Sequence, residues 1–227
     1  MMPEIVVSTF IRHNTSHDIQ RNEDEWAAIH AKKIIKGEPL APKARFMWPL
    51  RSGYNYQIKE NTRSTFEADV LARFADHITA NHAGAVIVPV PNGDGAVGVQ
   101  SPFRTLQLAR MLAANSPHLS AMDALRWHEP MGKAHKKERR RDVDAHMAAL
   151  RIMTDCPRDV IVFDDVVTSG SQLCAAKLKL EEAGFNVLAL YAIFDVIDEG
   201  ERGSAPGWRQ VTRNPTRIAD LFESVDI

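Results

Sequence analysis

The chain has 227 residues, of which 44% are hydrophobic and 25% are charged, and its net charge is −1. This length and composition predict one α/β domain with an accessory subdomain, long enough to bury a full sheet. No apolar run approaches membrane-spanning length and the start lacks the features of a secretion signal, so we expect a cytoplasmic protein. Two cysteines, Cys156 and Cys174, exclude a disulfide framework.

The first 82 residues predict a folded segment. Residues 5–11 are typical of a strand, residues 23–36 of a helix that ends at Gly37, and residues 46–50 of a short strand. Ser64 and Glu67 have the spacing of a capping box, which opens a predicted helix. One face of that helix is apolar and carries Phe66, Val70, Phe74 and Ile78. We expect these pieces to add an edge strand and a hood to the sheet.

A buried strand followed by a proline-containing loop is predicted at residues 85–95. Pro89 and Pro91 prevent a continuous ladder through the end of the apolar run. Glycines 93 and 95 would let the backbone approach a ligand closely. An ordinary connection between a strand and a helix is the alternative interpretation.

A helix is predicted next, with Ser101 as its N-cap and Pro102 at its first position. Arg104 lies in the first turn and close in sequence to the preceding loop, where a cation could reach a phosphate. A solvated surface arginine is the competing interpretation.

Positive charge is concentrated in residues 128–142, although the whole chain is close to neutral. The first part, with Pro130 and Gly132, predicts a loop, and the second part predicts a short charged helix. This basic segment could close over an anionic leaving group, bind a nucleic-acid backbone through residues Lys133 to Arg141, or form a solvated face.

The most informative segment is residues 160–172. Residues 160–163 are typical of a strand buried on both faces, and the apolar residues after Ser171 have helical spacing up to Gly184. Asp164 and Asp165 therefore lie where a strand ends, before a small, hydroxyl-rich turn. Ligands of open parallel sheets collect at this edge, and N–H groups at a helix start can hold a phosphate. Two carboxylates offer acceptors for sugar hydroxyls and hard oxygens for Mg²⁺, whereas a solvated turn is the alternative for an isolated Asp pair.

A last strand is predicted at residues 187–194, followed by a surface loop at residues 199–207 and a short terminal helix that contains Ile218, Leu221 and Phe222.

Residues 160–172 resemble the phosphoribosyl-pyrophosphate (PRPP) motif of type I phosphoribosyltransferases, an apolar strand followed by two acids and a Thr-Thr-Gly-like turn. The resemblance implies an α/β fold with a parallel-sheet, Rossmann-like core at residues 83–198. It also implies a small N-terminal hood at residues 1–82 and a C-terminal loop and tail at residues 199–227 that pack on the core.

Site roles follow from the same resemblance. It implies that Asp164 and Asp165 contact the ribose hydroxyls and hold Mg²⁺, directly or through water. The 5′-phosphate would be bound by the turn and the helix start, which comprise Val167, Thr168, Ser169, Gly170, Ser171 and Gln172. The pyrophosphate would be bound by Val90, Pro91, Asn92 and Gly93, with Arg104 and Lys133. Gln172 departs from the family pattern, which usually has Thr or Ser there.

The order of features over residues 85–194 is similar to that of the ComF-like subgroup, which is associated with competence and DNA uptake. Many ComF-like proteins begin with a cysteine-rich zinc module, which this chain lacks because it has only two cysteines. Dimers are common in the family, so a homodimer is compatible with the resemblance, although no residue demonstrates one.

The leading hypothesis is a phosphoribosyltransferase that binds PRPP and Mg²⁺. It would transfer the phosphoribosyl group to or from a nitrogen nucleophile such as a nucleobase, with pyrophosphate as the leaving group. The alternative is a catalytically reduced protein that binds PRPP or a nucleotide and has a regulatory or DNA-processing role. Gln172 and the basic segment motivate the alternative, and the sequence does not name the acceptor.

Overall fold

A computed structural model describes residues 4–16, 20–130, 142–155, 158–197 and 205–215. Its strands are β1 (Ile5–Asn14), β2 (Phe46–Pro49), β3 (Asn55–Ile58), β4 (Val86–Pro89), β5 (Ser120–Ala121), β6 (Leu125–Trp127), β7 (Leu150–Ile152), β8 (Asp159–Val167), β9 (Asn186–Ile197) and β10 (Arg209–Arg213). Its α-helices are α1 (Glu23–Ile35), α2 (Arg63–His82), α3 (Arg104–Ala113), α4 (Val143–Ala149) and α5 (Ser171–Glu182), and a short 3-10 turn, Glu60–Thr62, precedes α2.

The central sheet has six strands in the order β10-β1-β9-β8-β4-β5. Strands β1, β9, β8, β4 and β5 run parallel to one another, and β10 pairs antiparallel with β1. Two antiparallel pairs, β2 with β3 and β6 with β7, lie outside this sheet. The mostly parallel sheet with helices confirms the predicted α/β fold class.

Two apolar layers cover the two faces of the sheet. One layer packs α1, α2, α3 and the β2–β3 hairpin on the sheet around Phe10, Ile34, Phe74, Phe163 and Tyr191. The opposite layer packs α5 and the β6–β7 pair around Val7, Val162, Leu125, Trp127 and Leu173. Because successive residues of β8 alternate between these layers, its apolar run is buried on both sides, as the sequence predicted.

The first strand is longer than predicted and lies elsewhere in the sheet. β1 extends to Asn14 and pairs with β9 on one side and with β10 on the other. Residues 1–82 were expected to add an edge strand to the sheet, and this prediction is wrong for β1 because the antiparallel β10 covers that edge.

Two predicted helix starts are also wrong. α3 begins at Arg104 with Phe103 at the N-cap position, and its first-turn amide at Thr105 donates to the Asn92 side chain, 2.7 Å away, rather than to Ser101. α2 begins at Arg63, so Ser64 lies inside the helix and no Ser64 capping box forms. In both cases a local capping signal was overridden by tertiary contacts.

Helix ends marked by glycine were predicted well. α1 ends at Ile35 before Gly37, and α5 ends at Glu182 before Gly184; both glycines have a positive φ. The capping box of this region belongs to α1, where Asn22 and Glu25 exchange side-chain and backbone hydrogen bonds. Among the described residues, no helix has both the length and the apolar character needed to cross a membrane.

Candidate active site

The acidic pair lies at the carboxyl edge of the parallel sheet. β4 ends at Pro89, which pairs with Phe163 of β8, so Asp164 is the first residue of β8 beyond the β4 ladder. β8 continues along β9 as far as Val167, which pairs with Asp195. The two carboxylates therefore lie where a neighbouring strand has stopped, which is the place where open parallel sheets bind ligands.

Both carboxyl groups are buried, with 6% of Asp164 and 4% of Asp165 exposed. The Asp165 backbone N–H donates to Asp164 Oδ1 over 2.8 Å. Burial, followed by the negative charge of Asp165, raises the pKa of Asp164 well above its ordinary value. The pair therefore resists carrying two negative charges unless a cation lies next to it.

A lysine provides such a cation. Lys36, the residue after α1, places its Nζ 2.9 Å from Asp165 Oδ2. Burial lowers the pKa of Lys36, but the adjacent Asp165 carboxylate outweighs that effect, and the net result is a pKa above the ordinary value. Lys36 was not identified from the sequence, because its partner lies 129 positions away.

The acidic pair suits a Mg²⁺ ion that takes only part of its shell from the protein. Carboxylate oxygens are the donors that Mg²⁺ prefers, and the Lys36 ammonium shows that positive charge is accommodated beside Asp165. The described part of the chain has no cluster of three or more His, Cys, Asp or Glu side chains arranged for a metal. The remaining oxygens would therefore come from ligand and water, as is usual for Mg²⁺ bound with phosphates.

The turn after β8 leads directly into the start of α5. Gly170 occupies the N-cap position with φ 81°, in the left-handed region, and as a glycine it has no side chain to cap this helix end. Ser171 N lies 3.4 Å from Ser169 Oγ, and the two serine hydroxyls lie 3.1 Å apart. The Gln172 backbone N–H in the first turn could bind an anion, which the helix dipole also favours.

Arg213 of β10 fixes this turn from below. Its Nε donates to the Thr168 carbonyl over 2.8 Å, and its Nη2 donates to the Val196 carbonyl over 3.2 Å and forms an ion pair with Asp195. A Cβ on Gly170 would lie 2.9 Å from Ile5 Cδ1 and 3.0 Å from Arg213 Cβ. The turn is therefore tightly packed against the sheet before any ligand binds.

The loop after β4 lies beside the acidic pair and is also held firmly. Val90 N donates to Phe163 O over 2.8 Å, which places Val90 next to Asp164. Trp127 Nε1 donates to the carbonyls of Pro91 and Asn92, 2.8 and 2.9 Å away, and Asn92 Oδ1 accepts from Thr105 N.

Gly95 is enclosed by side chains of its own neighbourhood. A Cβ there would lie 2.8 Å from Pro91 Cβ and 2.9 Å from a Phe103 ring carbon. Packing inside the loop therefore requires this glycine, whether or not a ligand approaches.

Arg104 does not extend toward this loop. Its Nε donates to the Ile35 carbonyl over 2.6 Å and its Nη2 to the Ile34 carbonyl over 3.2 Å, and it forms an ion pair with Glu67. The guanidinium therefore joins α3 to the end of α1 and to α2, and these contacts do not support a role in pyrophosphate binding.

The basic segment cannot be placed in the site. Lys133, Arg139 and Arg141 lie outside the described residues. β6 precedes that segment and α4 follows it, and Trp127 of β6 contacts the loop after β4. The chain therefore enters the basic segment close to the predicted pyrophosphate loop.

A pair of basic side chains, His13 and Lys32, lies at the end of β1 and was not predicted. His13 is buried, and its Nε2 lies 2.7 Å from Lys32 Nζ. Burial, followed by the positive charge of Lys32, lowers the pKa of His13 to about 4. At neutral pH the imidazole is therefore uncharged, and its Nε2 accepts a hydrogen bond from the lysine.

Asp195 was not predicted, although the sequence contains a pattern that indicates its position. Asp195 directly follows the apolar run of the predicted strand at residues 187–194, just as Asp164 follows residues 160–163. An acid at the end of a second parallel strand predicts a position at the same edge, and Asp195 is buried there against Arg213.

Comparison with known proteins finds similarity only among solved structures. No family model and no curated protein sequence matches the chain. A hypoxanthine phosphoribosyltransferase from Staphylococcus aureus is 14% identical with a TM-score of 0.35, and the match covers 61% of this chain and 66% of that one. An adenine phosphoribosyltransferase is 14% identical with a TM-score of 0.39, over 74% of this chain and 98% of that one. An orotate phosphoribosyltransferase from Mycobacterium tuberculosis H37Rv is 16% identical with a TM-score of 0.34, and the match covers 73% of this chain and 82% of that one.

Proposed function

We propose that this protein is a Mg²⁺-dependent phosphoribosyltransferase that resembles the ComF-like subgroup. The observation that carries the proposal is the position of two buried acids, Asp164 and Asp165, shortly before the tight glycine turn that opens α5. The two acids would bind the hydroxyls of a ribose, and the turn would bind the phosphate on the 5′ position of the same ribose.

Each part of PRPP would have its own protein partner. Asp164 and Asp165 would accept hydrogen bonds from the ribose hydroxyls and hold the metal, directly or through water. Residues Thr168 to Gln172 would bind the 5′-phosphate, with Gln172 contributing its backbone N–H at the helix start. Val90, Pro91, Asn92 and Gly93 would contact the pyrophosphate, and Lys133 would assist.

In the proposed reaction, a nitrogen nucleophile forms a bond to C1′ while the bond from C1′ to the pyrophosphate oxygen breaks. The bonding electrons leave with pyrophosphate, and the nitrogen then loses its proton to solvent. Mg²⁺ would neutralise charge on the leaving pyrophosphate. The buried carboxylates would stabilise the positive charge that develops on the ribose, since their charge is weakly screened in this environment.

Rigidity of the site supports this proposal. The Trp127, Thr105 and Arg213 hydrogen bonds hold both phosphate-binding loops in the free protein. Positioning then costs little at the moment of reaction, which is how most of the rate enhancement would arise.

Calorimetric titration of PRPP, with and without Mg²⁺, tests the proposal. The control is the double variant Asp164→Asn with Asp165→Asn, which preserves side-chain volume and removes both charges. We expect metal-dependent binding by the wild type and none by a folded double variant. Equal affinity in the two proteins would contradict the site assignment. Metal-dependent binding by the wild type would justify a screen of nitrogen acceptors for pyrophosphate release.

A further inference from the structure

Lys36 already occupies the position at Asp165 where a bound cation would be needed. The ammonium lies 2.9 Å from Asp165 Oδ2, and the lysine side chain is 35% exposed whereas that of Asp165 is 6% exposed. The lysine can therefore move toward solvent, whereas the carboxylate cannot.

A second lysine, Lys32, adds positive charge near the ion pair of Lys36 and Asp165. Lys32 lies four residues before Lys36 on the same side of α1, a spacing at which like charges repel. Lys32 Nζ bonds the neutral His13, and among the described residues no carboxylate lies within ion-pair distance of it. Lys32 and Lys36 therefore repel each other, and a bound anion would relieve that repulsion.

Sugar-phosphate binding and the Lys36 ion pair make competing demands on Asp165. This inference rests on the proposed function, in which Asp165 offers its oxygens to ribose hydroxyls or to a metal. The Lys36 ammonium then has to move away from Asp165. A released ammonium beside a phosphorylated ligand would take an anionic oxygen as its new partner, because charge-assisted hydrogen bonds to phosphate are strong.

We propose that Lys36 is a ligand-binding residue that exchanges partners. It pairs with Asp165 in the free protein and binds an anionic oxygen of the phosphorylated ligand in the complex, with Lys32 beside it. Lys36 then has two opposite effects: it competes with a metal for Asp165, and it adds attraction for the phosphorylated ligand.

The test compares wild type with Lys36→Met, which keeps the length of the side chain and removes its charge. The matched control is Lys33→Met on the same helix, since Lys33 takes part in no described side-chain ion pair or hydrogen bond. Mn²⁺ binding is measured by electron paramagnetic resonance without ligand. PRPP binding is measured by calorimetry at a Mg²⁺ concentration that saturates all three proteins.

We expect Lys36→Met to bind Mn²⁺ about tenfold more tightly and PRPP about tenfold more weakly than wild type, with Lys33→Met unchanged in both. Effects of the same sign, or no effect at Lys36, would overturn the exchange while leaving the acidic site in place. If wild type binds neither Mn²⁺ nor PRPP, the proposed function fails and the inference falls with it.

Discussion

Arg213 links the phosphate-binding turn to the sheet through a single guanidinium group. Its contacts reach the Thr168 carbonyl, the Val196 carbonyl and the buried carboxylate of Asp195. We expect Arg213→Met to lower the free energy of unfolding by about 2 kcal/mol, because hydrogen bonds to charged groups are lost in a buried setting. Urea unfolding measures the change. Arg110→Met is the control, since Arg110 is exposed on α3 and should cost nothing measurable. Equal stability of the two variants would mean that the turn does not depend on Arg213.

His13 predicts a pH dependence of stability. Its pKa is about 4 in the folded protein and near 6.5 in an unfolded chain. The unfolded chain therefore binds the proton more readily, so the contribution of His13 is complete above pH 6.5 and is lost as pH falls toward 4. The loss is on the order of 3 kcal/mol.

The measurement for His13 is urea unfolding of wild type and His13→Gln between pH 7 and pH 4. Glutamine retains an oxygen that can accept from Lys32 but cannot titrate in this range. We expect a shallower decline in the variant. Parallel stability curves for the two proteins would show that folding does not lower the pKa of His13.

At the residue scale, the sequence predicted those site residues that a local sequence pattern identifies. Asp164 and Asp165 follow an apolar run and precede a glycine turn, which is a local pattern. Lys36, His13 and Arg213 carry no such pattern, because their partners are more than 15 positions distant. Arg104 shows the opposite problem: it is adjacent to the loop in sequence, but its side chain contacts α1 and α2.

The turn that opens α5 depends on a glycine for two separate reasons. Gly170 has a positive φ, and a Cβ there would also collide with Ile5 and Arg213. Gly53 shares the positive φ, with nothing within 4 Å of its hypothetical Cβ. We expect Gly53→Ala to cost about 1 kcal/mol from backbone strain alone and Gly170→Ala about 2–3 kcal/mol from strain with overpacking. Thermal or urea unfolding measures the loss of stability in each variant. Equal losses in the two variants would show that packing around Gly170 contributes nothing.

Elements were predicted well where one local signal dominates. The glycine-terminated helices α1 and α5 and the buried strands β4 and β8 have apolar periodicities that agree with their environment. The starts of α2 and α3 were predicted wrongly because groups that local capping would have used have distant partners: Glu67 pairs with Arg104, and Thr105 N donates to Asn92. The short strands β5, β6 and β7 have two or three residues each, too few for a period to be recognised.

At the scale of the whole molecule, the first and the last described strands pair with each other in the central sheet. β1 pairs with both β9 and β10, and Trp208 packs on Phe10 and Phe74 at ring-centroid distances of 5.1 and 4.6 Å. Strand alternation predicts burial from sequence, but it does not predict strand order, which is why β1 was expected at the edge. Strands from the beginning, the middle and the end of the described chain therefore belong to one six-stranded sheet.

This shared sheet predicts cooperative unfolding. Trp48 and Trp127 are buried in the two opposite apolar layers and report on both faces of the sheet. We expect urea transitions followed by tryptophan fluorescence and by far-UV circular dichroism to coincide, in wild type and in Trp127→Phe, whose Trp48 and Trp208 both pack in the layer on one face of the sheet. Separate midpoints within either protein would indicate two independently stable layers.

The most direct test of the central claim is anomalous diffraction from crystals grown with Mn²⁺ and PRPP. We predict an anomalous peak about 2.2 Å from a carboxylate oxygen of Asp164 or Asp165, or one water further away. The 5′-phosphate should lie against the amides of residues 168–172. A metal peak remote from the acidic pair, or a phosphate bound elsewhere on the protein, would contradict the account.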